Sequence, residues 1–425
     1  MRKFNRRSLL GFITGGVALN LFSARASAVT RIPSINVKSL PEPGKAIFTI
    51  RATQILKCYV EYGMTAGKYS GKSAIVTVNK IKDVTIAGLT PGATVYYRLR
   101  YLKVGSKVYS ATAMQKTTTP KSFTKSVFAV QADPHMDENS SADVYNATLD
   151  QIAKSAPAFL IDLGDIFMVD KLKDKSDANI RSRFQLMRNF YKKLNGVPLK
   201  IVLGNHDGEL GYSSFNTKKY RAEYFPEQTS DKAYYSIEGP DQLHLCLDPF
   251  TYTTQVPKAD GWQWTLGKEQ YDWLRTTLES SKARHKFVYI HHLLVGDAQS
   301  RGGVEIAKRN EWGGANQDGS AGFATNRAGW YKPVHDLLLE NGVAIVFKGH
   351  DHLYSKQELD GIVYQTVPQP SHPGDKVDPT QYGYRSGKTV GGSGFLRVTT
   401  AGAVAKVEFV KFDGSIADSY EKNVI

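Results

Sequence analysis

The pattern of hydrophobic and polar positions divides the chain into two parts with different periods. Over residues 30–116, seven short apolar runs are separated by turn residues, which predicts an all-β sandwich. Residues 117–123 have the composition of a linker. Over residues 124–412, apolar strand-like runs alternate with amphipathic helical runs, which predicts an α/β domain of mixed sheets. The remaining residues, 413–425, are predicted to form a C-terminal tail.

The first 28 residues have the layout of an export signal. Basic residues precede an apolar stretch of about 14 residues, and small residues in an Ala-x-Ala arrangement follow it. The stretch is too short and too rich in glycine for a membrane span. Arg6-Arg7 resembles a twin-arginine signal, with a general secretory signal as the alternative. We therefore expect an exported protein, periplasmic or secreted, without a stable membrane span.

The net charge of the chain bears on its possible binding partners. The formal net charge is +15, and residues 1–28 carry five basic residues and no acid, which leaves +10 for the rest. A basic surface favours anionic partners, but no run of lysine and arginine concentrates the charge, so nucleic acid is not specifically indicated.

Cys58 and Cys246 lie far apart in apolar runs, which indicates two buried thiols and no disulfide framework.

Side chains that can bind metals follow five of the predicted strands of the α/β domain. They lie in the segments Asp133-Pro134-His135, Gly164-Asp165, Gly204-Asn205-His206-Asp207, Val288-Tyr289-Ile290-His291 and Gly349-His350-Asp351-His352. In an extended segment, residues i and i+2 point to the same side, so His350 and His352 are expected to face one way. Such a pair could be hydrogen-bonded in the core, a surface coincidence or two metal ligands. Because the carboxyl ends of strands form the ligand crevice of an open α/β sheet, the five segments can converge.

These five segments, in this order, resemble the motif pattern of the calcineurin-like metallophosphoesterase superfamily over essentially residues 124–412. In front of them, residues 89–98 resemble the fibronectin type III signature, so the domain order is similar to that of purple acid phosphatases. The resemblance implies an α/β fold in which a metallophosphoesterase β-sandwich is flanked by helices (α/β/β/α). It also implies hydrolysis of phosphoric esters by two divalent metal ions per chain (Mn, Fe or Zn).

The resemblance also assigns roles to particular residues. It implies that one ion is held by Asp133, His135, Asp165 and His352. It implies that Asp165 bridges to a second ion, which is also held by Asn205, His291 and His350. Water shared by two divalent ions is hydroxide near neutral pH, and this metal-bound hydroxide is the expected nucleophile. His206 is the implied general acid for the leaving group, and Asp207 is expected to orient it.

One departure from the purple acid phosphatases concerns the metal. Their Gly-Asp-x-x-Tyr reads Gly164-Asp165-Ile166-Phe167-Met168 here, so the ligand tyrosine is missing. In those enzymes, a glycine usually lies two residues after the first aspartate. Here His135 occupies that position. An imidazole in place of a phenolate suits divalent ions better than ferric iron. The sequence therefore favours a divalent centre over a ferric one.

Residues that contact the substrate are less clearly marked. His292 follows His291 and points to the opposite side if the strand continues, which leaves a substrate role as one of two alternatives. Residues 294–327 are predicted to form a long glycine-rich loop, which is typical of a substrate lid and carries Arg301 and Arg309. His372 is expected to line the same mouth.

The function predicted from the sequence is that of a phosphomonoesterase acting on a small-molecule phosphate ester. The alternative within enzymes is a phosphodiesterase, which shares the metal ions and differs in pocket shape. The alternative outside enzymes is a binding protein that uses its sandwich for adhesion, which the complete set of ligand-type residues disfavours. The pattern gives no indication of the oligomeric state.

Overall fold

The computed structural model describes residues 35–102, 105–121, 125–136, 140–168, 172–207, 218–225, 232–239, 241–253, 261–295 and 302–424. The predicted export signal, residues 30–34 of the predicted sandwich, and Arg301 therefore lie outside the described residues. In the part of the chain that is described, no helix is long and apolar enough to cross a membrane.

The N-terminal region is all-β, as predicted. Its described strands are β1 (Ile35–Glu42), β2 (Lys45–Ala52), β3 (Leu56–Gly63), β4 (Gly71–Lys72), β5 (Val76–Val78), β6 (Ile81–Ala87), β7 (Thr94–Leu102), β8 (Tyr109–Ala111) and β9 (Gln115–Thr118). One sheet has the order β1-β2-β6, and the other has the order β4-β3-β7-β8, with β5 paired to β3 and β9 paired to β7. Phe48 and Ile50 of the first sheet pack with Val60 and Leu99 of the second in one core. Strand β9 continues into the segment predicted to be the linker.

The larger region contains two mixed sheets. Their strands are β10 (Lys125–Gln131), β11 (Leu160–Asp162), β12 (Leu199–Ile201), β13 (Tyr235–Gly239), β14 (Gln242–Cys246), β15 (His285–Ile290), β16 (Ile345–Lys348), β17 (Tyr354–Leu359), β18 (Ile362–Thr366), β19 (Lys388–Val390), β20 (Gly394–Ala401), β21 (Val404–Lys411) and β22 (Ile416–Asn423). The six-stranded sheet has the order β12-β11-β10-β20-β21-β22, and β10, β11 and β12 run parallel. The seven-stranded sheet has the order β13-β14-β15-β16-β18-β17-β19, with β14, β15, β16 and β18 parallel.

Helices cover the outer faces of both sheets. They are α1 (Ala142–Lys154), α2 (Asp177–Tyr191), α3 (Lys218–Tyr224), α4 (Gly267–Ser280), α5 (Gly303–Ile306), α6 (Asn310–Gly313), α7 (Phe323–Asn326) and α8 (Val334–Glu340). Apolar residues of α1 and α2 pack on the six-stranded sheet, and those of α4 and α8 pack on the seven-stranded sheet. The inner faces of the two sheets share a third core. The predicted α/β/β/α arrangement is therefore confirmed.

Helix α1 shows how the sequence sets an element boundary. The hydroxyl of Ser141 accepts a hydrogen bond from the backbone amide of Val144 (3.4 Å), which caps the first turn. Tyr145, Leu149 and Ile152 recur at helical spacing and are buried against the sheet. The start of α1 thus follows from its capping serine, and its buried face follows from the spacing of its apolar residues.

Two segments differ from the prediction in their local structure. Residues 302–327 were expected to be part of a long loop, but they contain α5, α6 and α7. Trp312 is fully buried and its Nε1 donates to the hydroxyl of Tyr364 (2.9 Å), so this segment is anchored in the core. Residues 413–425 were assigned to a tail, but strand β22 pairs with β21 and extends the six-stranded sheet. The two cysteines are free and buried, as expected.

The sandwich contacts the larger region through both polar and apolar groups. The guanidinium of Arg284 donates to the backbone carbonyl of Pro41 and lies 3.2 Å from Asp241. Ile47 of β2 packs against the core between the two large sheets. Lys286, at the start of β15, is 2% exposed, and its Nζ donates to the carbonyl of Leu278 (3.1 Å). A buried lysine thus lies beside the contact with the sandwich.

Candidate metal centre

The five ligand-bearing segments converge where parallel strands of both large sheets end. Asp133 and His135 follow β10, Asp165 follows β11, and Asn205 follows β12, all in the six-stranded sheet. His291 follows β15 and the turn with His350 and His352 follows β16, in the seven-stranded sheet. The predicted convergence of the five segments at the carboxyl ends of strands agrees with this placement. The structure builds the crevice from two sheets packed face to face, and their carboxyl ends meet at one edge.

The backbone around the centre adopts left-handed conformations. The φ angles are +56° at Asp133, +43° at His135, +55° at Asp165, +73° at His350 and +58° at His352. The left-handed backbone conformation is unfavourable for residues that carry a Cβ, by about 1–2 kcal/mol each. Residues held in such conformations cluster at functional sites, where the surrounding structure imposes them.

The backbone conformation of His350 and His352 therefore differs from the extended segment that was expected. Strand β16 ends at Lys348, and the following turn is not extended, because His350 and His352 both have positive φ. The prediction that two imidazoles in an extended segment face one way is wrong in its geometry. The two histidines lie in different groups of side chains, and the expectation that each binds a different ion stays a prediction.

Glycines beside the candidate ligands allow close approach between strands. A Cβ on Gly204 would lie 2.1 Å from Oδ1 of Asp165, and one on Gly349 would lie 2.7 Å from Oδ2 of Asp133. Gly164 has a φ of +92°, and a Cβ there would lie 2.2 Å from the amide nitrogen of Gly204. The glycines of Gly-Asp, Gly-Asn and Gly-His are thus required by packing.

The first group of side chains consists of Asp133, His135 and His352. Oδ1 of Asp133 lies 3.8 Å from Nε2 of His135 and 3.6 Å from Nε2 of His352. The rings of His135 and His352 are 4.5 Å apart. Asp133 and His135 are buried, whereas the His352 side chain is 35% exposed, so the group opens to solvent at His352.

The second group consists of Asp165, His291 and His350, with Asn205 beside it. Nε2 of His291 lies 3.1 Å from Oδ2 of Asp165 and 3.0 Å from Oδ1 of Asn205. Nδ1 of His291 lies 2.8 Å from the carbonyl of Leu163, an acceptor that fixes the proton on Nδ1. This tautomer leaves Nε2 as the nitrogen that can bind a cation.

An oxygen of Asp165 lies close to an imidazole of each group. Oδ2 of Asp165 lies 3.5 Å from Nε2 of His135 in the first group and 3.1 Å from Nε2 of His291 in the second. The other oxygen of the same carboxylate accepts a hydrogen bond from the backbone amide of His206 (2.7 Å). Asp165 is therefore oriented by its Oδ1 and presents its Oδ2 to the space between the groups. This is the geometry required of a bridging carboxylate.

The chemistry of these groups fits divalent cations. Oδ1 of Asp133 and Nε2 of His135 are buried, and neither has a hydrogen-bond partner among the described residues. A buried polar atom without a partner is costly, and a cation in contact with both atoms would satisfy them. Imidazole nitrogens and carboxylate oxygens are ligands suited to Zn²⁺, Fe²⁺ and Mn²⁺. The residues present thus fit two such ions.

The electrostatics of the centre point in the same direction. Burial lowers the pKa of His135, but the carboxylates of Asp133 and Asp165 outweigh it and raise the pKa to about 10. Burial also lowers the pKa of His291, but the carboxylates of Asp165 and Asp133 outweigh this effect and raise the pKa to about 9. Burial raises the pKa of Asp165, yet His291 and His206 bring it well below its usual range. The fold therefore concentrates negative charge that attracts cations.

Asp207 makes contacts that the sequence did not predict. Its carboxylate accepts hydrogen bonds from the backbone amides of Gly204 (2.6 Å), Asp165 (3.0 Å) and Ile166 (3.2 Å). Burial, followed by the charge of Asp165, raises its pKa to about 7. Asp207 thus joins the segment after β11 to the segment after β12. Its predicted role, orienting His206, stays a prediction.

His206 lies at the edge of the centre. Its side chain is half-buried, and its ring centroid is 5.7 Å from that of His135. Its backbone amide donates to Oδ1 of Asp165, which fixes the position of its Cα relative to both groups. The residue predicted to be the general acid therefore lies beside the candidate metal ligands.

The predicted substrate residues are placed less uniformly. His292 is buried beneath the second group, 4.7 Å from the ring of Trp264 and 5.0 Å from that of His350, so its contacts are with protein side chains. Arg309 is half-buried in the segment between α5 and α6. His372 is half-buried and follows Ser371, whose hydroxyl donates to the carbonyl of Pro134 (2.6 Å). Direct contact of these three residues with substrate stays a prediction.

Comparison with known proteins decides the family. A family model described as calcineurin-like phosphoesterase matches residues 126–354, which is more than half of the chain. The chain belongs to the calcineurin-like phosphoesterase family. This phosphoesterase is accordingly a hydrolase that acts on phosphoester bonds, and the match begins in β10 and ends at the first residue of β17, so it spans every candidate ligand.

Several solved structures are similar to this phosphoesterase. The purple acid phosphatase PPD1 from seeds of yellow lupin (Lupinus luteus) has a TM-score of 0.49 and 16% identity over 92% of this chain and 74% of its own. PhoD has a TM-score of 0.49 and 14% identity over 91% of this chain and 90% of its own. A dimetal phosphatase from Danio rerio has a TM-score of 0.46 and 13% identity over 71% of this chain and 99% of its own. No curated protein sequence matches this chain.

Proposed function

We propose that this phosphoesterase is an exported phosphomonoesterase that holds two divalent cations side by side. The observation that carries the proposal is the position of Asp165, whose Oδ2 lies 3.5 Å from His135 and 3.1 Å from His291. One carboxylate oxygen between two groups of imidazoles is the arrangement that a pair of adjacent cations needs.

The proposed ligands follow from the two groups. Asp133, His135, Asp165 and His352 hold one ion, and Asp165, Asn205, His291 and His350 hold the other. When bound, the two ions supply positive charge that activates water and stabilises the charge on the phosphoryl oxygens in an in-line displacement. Asn205 contributes an oxygen without adding negative charge, which keeps the centre attractive to a phosphate dianion.

The remaining steps belong to side chains of the chain itself. His206 is proposed to give its proton to the leaving alkoxide, because it lies at the solvent edge of the centre and is tied to Asp165. Asp207 is proposed to hold the segments after β11 and β12 at a fixed spacing through its three backbone hydrogen bonds. The two residues thus have different parts, proton transfer for one and positioning for the other.

Substrate class and location are also proposed. The net charge of +10 outside residues 1–28 favours an anionic small molecule, and we favour a monoester over a diester. The basic, apolar and small-residue sections of residues 1–28 support export, with Arg6-Arg7 as the feature of a twin-arginine signal. The all-β region is proposed to be a fibronectin type III-like domain, separated from the catalytic domain by the segment after β9.

Metal analysis and a substrate panel test the proposal together. The purified chain is expected to contain two divalent ions, to lose activity on chelation and to regain it with Mn²⁺, Fe²⁺ or Zn²⁺. Alkyl and aryl monoesters are expected to be hydrolysed faster than the corresponding diesters. A higher rate on diesters would favour a phosphodiesterase, and hydrolysis unaffected by complete chelation would contradict the metal centre.

A further inference from the structure

A buried lysine stands at the end of the core strand that leads to the histidine pair. Lys348 follows three apolar residues of β16 and is 1% exposed. Its Nζ donates a hydrogen bond to Oδ2 of Asp351 (2.7 Å), and the hydroxyl of Tyr384 donates to the same oxygen (2.7 Å). Lysines and aspartates are rarely buried, and removing such a pair from water is costly. The pair is therefore expected to serve a purpose other than stability.

The hydrogen bonds of Lys348 and Tyr384 to Asp351 hold the turn that carries two candidate ligands. Asp351 is the residue between His350 and His352, and its backbone amide donates to the carbonyl of Gly349 (2.9 Å). Both histidines have left-handed backbone, which residues with a Cβ avoid unless other contacts impose it. The side chain of Asp351 is the part of this turn that enters the core, where Lys348 fixes it.

The network is anchored on three parallel strands. In the sheet register, Lys348 of β16 lies beside Ile290 of β15 and Thr366 of β18. Oγ1 of Thr366 lies 2.8 Å from the hydroxyl of Tyr384, so the tyrosine joins β18 to the turn. Ile290 directly precedes His291 of the second group. The turn is thus fixed relative to the strand that presents another candidate ligand.

We propose that Lys348, Asp351 and Tyr384 form a positioning network that holds His350 and His352 in the geometry needed for both ions. None of the three is proposed to bind a metal or the substrate. The inference rests on the proposed function, since it requires two ions, and adds residues to which the family motif assigns no role. Because His350 and His352 belong to different groups, disturbing the network weakens the binding of both ions.

A pair of tyrosine-to-phenylalanine variants tests this inference. Tyr384→Phe removes the hydroxyl that contacts Asp351 and Thr366. Tyr364→Phe is a matched control, because Tyr364 is also buried and its hydroxyl also has two partners, Trp312 (2.9 Å) and His335 (2.7 Å). Binding of Mn²⁺ alone to the chelator-treated full chain is measured by equilibrium dialysis, and thermal unfolding of the metal-free chain is measured beside it.

The two variants are expected to separate stability from metal binding. Both lose a buried hydrogen bond, so both are expected to unfold at a lower temperature than the wild type. Tyr384→Phe is expected to bind both Mn²⁺ ions roughly tenfold more weakly, and Tyr364→Phe to bind them within about twofold of the wild type. Asp351→Asn, which keeps the side-chain volume, is expected to weaken Mn²⁺ binding as Tyr384→Phe does, and it replaces Tyr384→Phe if that variant fails to fold.

The outcomes distinguish this inference from the proposed function. Wild-type Mn²⁺ affinity in Tyr384→Phe and Asp351→Asn would overturn the positioning network while leaving the metal centre intact. Equal weakening by Tyr384→Phe and Tyr364→Phe would also overturn it, because the effect would then follow general stability. Failure of the wild-type chain to bind two Mn²⁺ ions would instead overturn the proposed function on which the network depends.

Discussion

The backbone amide of His350 donates a hydrogen bond of 2.8 Å to Oδ2 of Asp133. Asp133 follows β10 of the six-stranded sheet and His350 follows β16 of the seven-stranded sheet, so this contact joins the two sheets at the centre. It occupies one oxygen of the carboxylate and leaves Oδ1 facing three imidazoles, those of His135, His291 and His352, at 3.6–3.8 Å. The same contact thus links the two sheets and orients a candidate ligand.

Gly349→Ala is expected to disturb this contact. The new Cβ would lie 2.7 Å from Oδ2 of Asp133 and 2.9 Å from Cβ of Ala132, so the sheets must separate at this point. We expect Mn²⁺ affinity to fall by at least roughly tenfold, with destabilisation of about 1–3 kcal/mol from overpacking. Gly239→Ala is the matched control, since the nearest atom to its Cβ is 3.8 Å away. Unchanged Mn²⁺ affinity in Gly349→Ala would show that this approach is not critical.

The proposed bridging role of Asp165 predicts the effect of removing its charge. Asp165→Asn keeps the acceptor for the amide of His206 and removes the charge that faces both groups. We expect the occupancy of at least one ion to fall and hydrolysis to be lost, because no other side chain is proposed to contact both ions. Metal content is measured by mass spectrometry beside turnover. Two ions per chain with wild-type turnover would refute the bridge.

The order of the ligand segments was predictable because each lies directly after an apolar strand. The run Ile345-Val346-Phe347 marks a buried strand, so His350 was expected to lie just after a strand end. The same reasoning placed Asp165 after β11 and Asn205 after β12. An apolar strand and the polar residue that follows it are local features, which a single sequence carries.

The contacts that orient these side chains could not be predicted in this way. The carbonyl that fixes the tautomer of His291 belongs to Leu163, which is 128 residues away in the chain. Tyr384 reaches Asp351 across 33 residues, and nothing in its local sequence distinguishes it from other tyrosines. A lysine within a buried strand, Lys348, was the one local sign of the network. Long-range contacts of this kind depend on the packing of the whole fold.

His206 is expected to matter most for esters with poor leaving groups. His206→Ala is predicted to keep both ions, because the contact of residue 206 with Asp165 is made by the backbone. Hydrolysis of alkyl monoesters is expected to slow by roughly 10²–10⁴-fold, the usual contribution of a general acid. Activated aryl esters, whose leaving groups need no proton, serve as the internal control and are expected to slow less. An equal loss on both ester types would assign His206 a different role.

Lys286 predicts a pH dependence of stability. Burial, and then the charges of Lys38 and Arg51 on the sandwich, lower its pKa to about 7, against about 10.4 in an unfolded chain. Between these values the unfolded chain binds the additional proton, so the free energy of unfolding rises with pH from about 7 to about 10. Lys286→Met is expected to flatten this rise and to add roughly 1–3 kcal/mol at pH 7.

Urea unfolding of the wild type and of Lys286→Met across this pH range measures the difference. Lys282→Met is the control, because Lys282 is exposed and lies only four residues earlier. Its unfolding free energy is expected to follow the wild type at every pH. A slope in Lys286→Met as steep as that of the wild type would show that Lys286 is not responsible.

The colour of the purified protein tests the proposed divalent centre. Purple acid phosphatases are coloured because a tyrosinate donates charge to ferric iron, whereas Met168 stands at that motif position here and a thioether cannot do this. His135 instead brings Nε2 to 3.5 Å from Oδ2 of Asp165, so the first site gains a neutral nitrogen. With two carboxylates and two imidazoles, that site carries less negative charge and favours Mn²⁺, Fe²⁺ or Zn²⁺ over Fe³⁺. We therefore expect a colourless or pale protein that regains activity with divalent ions after chelation. A strong visible band that disappears on reduction would show that a tyrosine from elsewhere in the chain binds ferric iron.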